Sequence, residues 1–534
     1  MRNKSARRIV SFILAAVVVL PTLAGMTTKA DTPNTPYDVT FSLGSKETQV
    51  CFNWMSPSKG KAQVQIAKTS SVKSGSFPSN STVTGTATAT TATNGGLGNA
   101  SYTDATTGEY TNKATVSGLS LSTKYTYRVG DGTTWSSEYT FTTGNPGSGF
   151  SFLAFGDPQL GAASSNANAA IKHTSLADDQ AGWADTLKKA TSKYPSINFL
   201  FTLGDEVNNY TDLTAQQNEY KAFFTPDSSA GYLQKFALVA LEGNHDEQLG
   251  KYYSYHYNQP NRSTLGETSN NSVNNNDGDY WFTYGDALFM VLNANNYADT
   301  AAHDEFMKQA VDANPNVRWK IAAWHQSAYS EASHAVSSAD DSTQITFIRQ
   351  NWPKLMDKYG VDVVFEGHDH SYTRTYQMYN GLPVDATKTN LVSDTKGTVY
   401  FTLDSGSGSK YYDFQSTAVH TFSSLFWQQY APTYSYITID DNEFKIDTIR
   451  TDTGDSVDHY TIDKTPLAPA SSSQPDSNST VTSTPSGRSS SSAGNIDTGD
   501  SFNGSIPIAV SSTLGILVLI AIAAALIARR KQKD

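Results

Sequence analysis

Between residues 35 and 143, apolar and polar side chains alternate over short stretches: YDVTFSL, TQVCFNWMS, KAQVQIAK, YTYRVGD and EYTFTT. A period of two marks strands with one buried face. Short strands separated by Gly, Ser, Asn and Pro at regular spacing predict an all-β sandwich. Residues 79–108, rich in Thr, Ala, Gly and Asn, interrupt the pattern and read as a long flexible loop inserted in the sandwich. After the linker TTGNPGSG (142–149) the period changes. FSFLAFGD, INFLFTLGDE and FALVALEGNHD read as strands, whereas ADDQAGWADTLKKATSKY and LTAQQNEYKAFF have helical spacing. This alternation predicts a layered α/β domain. Further on, DYWFTYGDALFMVLNA and YSYITIDDNEFKIDTIRT read as antiparallel strand pairs, so the sheet is mixed. Residues 465–505 are Ser/Thr/Pro-rich without periodicity and read as a disordered stalk.

The two ends carry a different pattern. MRNKSARR, the apolar run IVSFILAAVVVL and small residues ending at Ala30 describe a signal peptide over 1–30. IPIAVSSTLGILVLIAIAAALIA (506–528) is long enough to span a bilayer as a transmembrane helix, at about 1.5 Å per residue. The basic tail RRKQKD (529–534) stays cytoplasmic, which leaves the bulk of the chain outside. Between these ends the pattern predicts a β-sandwich over 31–145 and an α/β domain over 146–464.

Composition narrows the compartment. The 534 residues include one cysteine, Cys51, so no intramolecular disulfide forms. An exported protein without disulfides points to a bacterium, here to a Gram-positive membrane or cell wall. NIDTGD (495–500) resembles a degenerate sortase signal, with processing near Thr498–Gly499 and Asn495 and Ile496 standing where Leu-Pro is usual. Wall linkage and simple membrane retention both remain open. The formal net charge of −11 argues against nonspecific nucleic-acid binding. It leaves room for a phosphorylated substrate held through cations.

Five predicted strand ends stop in metal-ligand residue types. They are FGDPQ (Asp157, Gln159), LGDEV (Asp205), EGNHD (Asn244, His245, Asp246), IAAWHQSAY (His325) and EGHDH (His368, His370). Each follows an apolar run, and open α/β sheets bind ligands outside the carboxyl ends of their strands. A single Gly-Asp or a single His after a strand is weak evidence; the ordered set is strong. The set GD…GD…GNHD…H…GHDH resembles the calcineurin-like metallophosphoesterases. YWFTYGDALFMVLN, RWKIAAWHQSAYS, YGVDVVFEGHDHSYTRTY and FKIDTIRTDTGDSVDHYTI are similar to the purple acid phosphatase branch, which carries a fibronectin type III-like domain ahead of its catalytic domain. The resemblance implies a four-layer α/β (α+β, mixed-sheet) metallophosphoesterase domain behind a fibronectin III-like sandwich.

It also implies a chemistry. Two cations about 3.5–4 Å apart clamp a phosphoryl group and activate water; carboxylate and carbonyl oxygens suit hard cations, and imidazole suits Fe, Zn and Mn. By motif, Asp205 bridges two metal ions, Asp157 and His370 complete one site, and Asn244, His325 and His368 complete the other. His245 is then the general acid or a stabiliser of phosphoryl charge, oriented by Asp246. The implied reaction is in-line attack on phosphorus with no covalent enzyme intermediate. Two departures stand out. Asn208 occupies the position of the branch's metal-binding Tyr, which predicts no purple colour, and Tyr210 substitutes only if the loop bulges. Gln159 stands where a His is common; its amide binds the first metal, hydrogen-bonds a water there, or caps the loop. Without tyrosinate, a divalent pair of Fe, Mn or Zn is favoured over ferric iron.

Arg374 in SYTRTY is a candidate phosphate contact or a structural ion pair, and KYYSYHYNQP around His256 is a candidate cleft wall or a packing cluster. The expected function is a surface-anchored phosphoesterase acting on small phosphate esters, phosphomonoesters or nucleotides. The alternative is a surface adhesion protein that binds through the sandwich and keeps the phosphoesterase fold as a scaffold.

Overall fold

The computed structural model describes residues 34–465, apart from 94–103, 166–171, 248, 268, 271–273, 276–277, 333–341, 393–395 and 415–418. The expected signal peptide, stalk, sortase-like signal, span and basic tail lie outside the described residues. Among the described residues no helix is long and apolar enough to cross a membrane.

The N-terminal sandwich has two four-stranded antiparallel sheets. One runs in the order Tyr37–Leu43, Gln49–Ser56, Asp104–Ser117, Thr86–Thr93. The other runs Thr82–Thr84, Gln63–Lys68, Lys124–Gly130, Tyr139–Thr142. Their inner faces meet through Phe41, Phe52, Tyr127 and Phe141, all buried. Of the segment expected to be a loop over 79–108, the described residues are instead largely strand. Thr86–Thr93 pairs along Asp104–Ser117. The Thr/Ala alternation that looked like low complexity is a strand pattern, because the β-branched Thr favours extended backbone.

Behind the linker, two mixed seven-stranded sheets stack face to face. The first runs Ala237–Ala240, Phe199–Thr202, Gly149–Phe155, Thr433–Asp440, Glu443–Arg450, Ser456–Asp463, Leu391–Val392. The second runs Tyr280–Tyr284, Ala287–Val291, Trp319–Trp324, Val363–Glu366, Val399–Thr402, Tyr372–Thr375, Ser423–Trp427. Side chains of alternate parity divide the work, as the strand period requires. Phe152 and Ala154 join Phe199, Phe201, Phe289 and Phe365 between the sheets. Leu153 and Phe155 turn outward to the helices Leu176–Lys193 and Leu213–Phe224. The second sheet's outer face packs on the helices Thr300–Ala313 and Ser342–Tyr359. The result is four layers, helix–sheet–sheet–helix. Strands 149–155, 199–202 and 237–240 are mutually parallel, and so are 319–324 and 363–366, so their carboxyl ends gather at one edge of the double layer.

Candidate metal centre

Each strand delivers its ligand-type residue through a sharp turn, and close approach forces glycine at the turns. A Cβ at Gly243 would lie 2.1 Å from the Asp205 carboxylate, and one at Gly367 would lie 2.6 Å from Asp157 Oδ1. Gln159, Asp205, His368 and His370 all hold positive φ, between 35° and 73°. Non-glycine residues adopt that region only when the surroundings over-determine it, and such residues cluster at functional sites.

The geometry is tight. Asp205 Oδ2 lies 3.3 Å from His325 Nε2. Asn244 Oδ1 lies 3.1 Å from His325 Nε2 and 3.0 Å from His368 Nδ1. Donor atoms of Asp205, His325 and His368 all fall within 4.8 Å of one another, close enough to hold one ion. On the other side, Asp157 Oδ2 lies 3.2 Å from His370 Nε2 and 4.0 Å from His325 Nε2. Backbone groups aim these side chains. His325 Nδ1 pairs with the Leu203 carbonyl at 2.7 Å, which turns Nε2 inward. The His368 and His245 amides donate to Asp157 Oδ1 and Asp205 Oδ1, both at 2.8 Å. The structure therefore brings Asp157, Asp205, Asn244, His325, His368 and His370 into one cluster drawn from both sheets.

Its electrostatics call for a cation. Burial would raise the Asp205 carboxyl, but His325 and His245 outweigh burial and hold it well below the usual carboxylate range. Asp157 is likewise buried, and His325 and His370 hold it down. Burial would lower His325, yet Asp205 and Asp157 push it up to about 10. Two buried carboxylates held ionised around one imidazole mark a point where positive charge is stabilised. Gln159 strengthens this fit. Its backbone N–H donates to the Asp205 carbonyl at 2.7 Å, and both its amide atoms are buried without a hydrogen-bond partner. Of its three readings, loop capping is not what the amide does. A buried amide oxygen left unsatisfied on the strand end that carries Asp157 suits a hard cation or its water.

Other expected roles change. His245 is at the edge of the cluster, its side chain 15% exposed and its Nε2 4.0 Å from Asp205 Oδ2. Its Nδ1 pairs with the Asn208 carbonyl at 2.6 Å. Asp246 therefore does not orient His245: its Oδ2 accepts from the Gly243 amide at 2.9 Å and it lies beside Glu206, buried away from the ring. Asn208, in the position of the branch's tyrosine, contributes its main chain. Tyr210 is exposed and stands edge-on to the His245 ring at 5.2 Å, not against the first-site residues. Arg374 is not brought to the centre as a substrate contact. It is fully buried, bonded to Asp458 at 2.6 and 3.2 Å and stacked on Tyr460. His256 is buried against Tyr220 and Phe224, so its aromatic segment is a packing cluster.

One contributor escaped the sequence reading. The loop 405–412 wraps the first strand end: Ser405 Oγ donates to the Asp157 carbonyl at 3.2 Å, and Ser409 Oγ to the Pro158 carbonyl at 3.2 Å. Its Lys410 carbonyl lies 3.1 Å from His370 Nδ1. The available signal was LDSGSGSK directly after the buried strand VYFT, a sixth strand end whose buried Asp404 was not singled out with the other five.

Comparisons with known proteins agree with this geometry. Residues 150–372 match the calcineurin-like phosphoesterase family, and residues 36–143 match the purple acid phosphatase N-terminal domain. An uncharacterized Mycobacterium tuberculosis protein is 35% identical over 103 residues, 18% of either chain. A probable inactive purple acid phosphatase of Arabidopsis thaliana is 24% identical over 311 residues, 55% of this chain and 48% of that one. The chain thus spans less than half the length of either of these curated relatives. The structure of a purple acid phosphatase from yellow lupin seeds shares the fold at a TM-score of 0.59 and 18% identity, over 80% of this chain and 74% of that one. The four layers, the converging strand ends and the matched segments together make residues 150–372 a calcineurin-like phosphoesterase domain, preceded over 36–143 by a purple acid phosphatase N-terminal domain.

Proposed function

We propose that this protein hydrolyses small phosphate esters, phosphomonoesters or nucleotides, outside the cell. In this reading residues 1–30 are a cleaved leader, 31–145 the sandwich and 146–464 the catalytic domain. Residues 465–505 are then a stalk, 506–528 a membrane span and 529–534 a cytoplasmic tail. The observation that carries the activity is the convergence of Asp157, Asp205, Asn244, His325, His368 and His370 from five strand ends on one buried point, with the buried Gln159 on the first of those ends. Asp157, Gln159 and His370 would hold one metal ion and Asn244, His325 and His368 a second, with Asp205 between them. When bound, two such ions supply the positive charge and activated water that phosphoryl transfer needs.

The chain's own groups do the rest. Asp157 and Asp205 stay ionised at neutral pH because neighbouring imidazoles outweigh their burial. The Leu203 carbonyl and the Asn208 carbonyl fix one nitrogen each of His325 and His245, so the opposite nitrogens face the centre. Burial lowers His245, leaving it mostly neutral at rest. A dianionic ester beside it favours the protonated ring, whose Nε2 then delivers a proton to the leaving oxygen. A binding-only scaffold would have no use for this set of converging ligand-type groups.

The test uses the full-length protein. Bound metals are measured by emission spectrometry, and an aryl phosphomonoester and an aryl phosphodiester are assayed. Metal binding with turnover of at least one ester is expected. A folded protein that acquires no metal and turns over neither ester ends the reading, and an Asn244→Ala variant with full activity removes Asn244 from the ligand set.

A further inference from the structure

We propose that Glu219 is a positioning residue for the proton donor: through the Asn208–Asn209 peptide it sets which nitrogen of His245 serves the leaving group. This rests on the phosphoesterase reading above and deepens its account of His245.

The support for His245 comes from one helix. Leu213–Phe224 starts at Asp212, whose carboxylate accepts from the Thr214 and Ala215 amides at 2.8 and 3.2 Å. Asp212, Gln216 and Glu219 stand at i, i+4 and i+7 and so share one face of that helix. The face grips the turn that leaves the Asp205 strand end. Gln216 Nε2 donates to the Asn209 carbonyl at 2.9 Å. Glu219 Oε2 accepts from the Asn208 amide at 3.0 Å and from the Asn209 amide at 2.7 Å. Asn209 Oδ1 in turn accepts from the Thr211 and Asp212 amides at 3.1 and 2.8 Å. Both Gln216 and Glu219 are buried. On its other side Glu219 meets the first strand end: a Cβ at Gly161 would lie 2.2 Å from Glu219 Oε1. The carboxyl is thus held between the turns that follow Asp157 and Asp205.

The contact to His245 passes through a single peptide. Its N–H, on Asn209, donates to Glu219, and its C=O, on Asn208, accepts from His245 Nδ1 at 2.6 Å. In a trans peptide these two groups point in opposite directions, so fixing the one fixes the other. The carbonyl binds a proton on Nδ1 and leaves Nε2 on the side of Asp205, 4.0 Å from its Oδ2. Burial raises the Glu219 carboxyl to about 7. Oε2 accepts in either protonation state, because the proton of the neutral acid can sit on Oε1. Without that acceptor the Asn209 N–H loses its partner in a half-buried place, a cost that turning the peptide relieves. The Asn208 carbonyl then turns too, and the ring loses its fixed tautomer. In hydrolysis the oxygen of water bonds to phosphorus. The electron pair of the breaking P–O bond stays on the leaving oxygen, which takes the Nε2 proton, and the proton lost by water restores the ring. A good leaving group departs as a stable anion without that proton; a poor one does not.

The experiment uses the full-length wild type, Glu219→Leu, Glu219→Gln, His245→Ala and the Glu219→Leu/His245→Ala double variant. Each is assayed on a nitrophenyl phosphate ester and the matching alkyl phosphate ester, and its bound metal is measured. General acid catalysis contributes about 10²–10⁴-fold, so a misdirected ring in the Leu variant should cost about 10–100-fold in kcat on the alkyl ester. The loss on the nitrophenyl ester should stay below about threefold, with bound metal unchanged. Gln keeps an acceptor oxygen and should recover the alkyl rate to within about threefold of wild type. In the His245→Ala background, Glu219→Leu should cost less than about twofold more, because it acts through the ring. Equal losses on the two esters, metal lost in proportion to activity, no recovery with Gln, or a full further loss in the His245→Ala background each overturn the inference and leave the phosphoesterase reading intact. Wild-type protein that turns over neither ester overturns both.

Discussion

Two buried regions of this molecule use the same residue types to opposite ends. At the metal centre, Asp205 and Asp157 surround His325. Where the sandwich meets the catalytic domain, Asp38 lies 3.8 Å from His256. At both, an aspartate with positive φ faces an imidazole in a buried space. At the centre the carboxylates are driven down and His325 up to about 10. At the domain contact Asp38 is driven up to about 8 by burial and Glu109, and His256 down to about 4 by burial. The difference lies in the surrounding donors. Asp157 and Asp205 each accept a backbone N–H and share several imidazoles. Around Asp38, Glu109 is a second acid, itself bonded by Tyr37, Tyr252 and Gln217. Burial alone neutralises a pair; burial with convergent donors and more than one carboxylate favours positive charge.

The largest expected effect breaks the centre's half of that contrast. Asp205→Asn keeps the shape and removes the charge that Asn244, His325 and His368 are arranged around. Turnover should fall by about 10³-fold, the upper range for removing one electrostatic contact in a preorganised site. Bound metal should fall with it, measured by emission spectrometry. Asp38→Asn, the matching change at the domain contact, should leave turnover within about twofold at pH 6.5, since surroundings remote from the reacting atoms add little transition-state stabilisation. Equal losses from the two variants would erase the distinction.

The contrast also explains what the sequence could and could not disclose. The centre was legible because its residues end strands, and a strand end can be read locally: a Phe-rich run, a Gly and then Asp, Asn or His. The hairpin Tyr280–Tyr284/Ala287–Val291 and the helix Leu213–Phe224 were legible for the same reason. What failed was long-range pairing. Arg374 finds Asp458, 84 residues away, which no local pattern announces. Asp246 is adjacent to His245 in sequence, yet the short helix Asn244–Glu247 turns it toward Glu206. The Thr-rich segment before residue 94 hid a strand because its partner begins at Asp104, beyond a break in the pattern.

A smaller effect sharpens the centre. If the buried Gln159 amide helps to hold a cation, Gln159→Ala should weaken metal affinity by about 10–100-fold, the usual scale for losing a supporting ligand contact. Gln159→His offers a nitrogen donor instead and should recover affinity for Zn or Mn more than for Mg, because imidazole suits the transition metals. Titration with each metal, followed by thermal shift, reads both. Unchanged affinity in the Ala variant would return Gln159 to a purely structural part.

The smallest effect belongs to the domain contact, and it is a pH dependence. Asp38 titrates at about 8 when folded, against an ordinary 3.8, so the folded state keeps a proton that the unfolded chain gives up. Its stabilising share is complete below pH 4 and is lost as pH rises toward 8. His256 titrates at about 4 when folded, against 6.5, so its share is lost as pH falls below 6.5. Between pH 4 and 6.5 the two slopes oppose and largely cancel. Above 6.5 only Asp38 of this pair acts, and at 1.36 kcal/mol per pH unit its share should fall by about 2 kcal/mol by pH 8, beside the losses from Glu366, Asp246 and Glu219, which are raised into the same range. Glu109 and Lys221 face the same carboxyl, one raising and the other lowering it, and neither reverses the sign. Urea midpoints at pH 6.5 and 8 measure the loss. Asp38→Asn should shrink it by the Asp38 share and leave the part due to the other raised acids; an Asn variant that loses as much as the wild type would show that Asp38 is not a protonated acid at this contact and that the two regions differ less than their geometry implies.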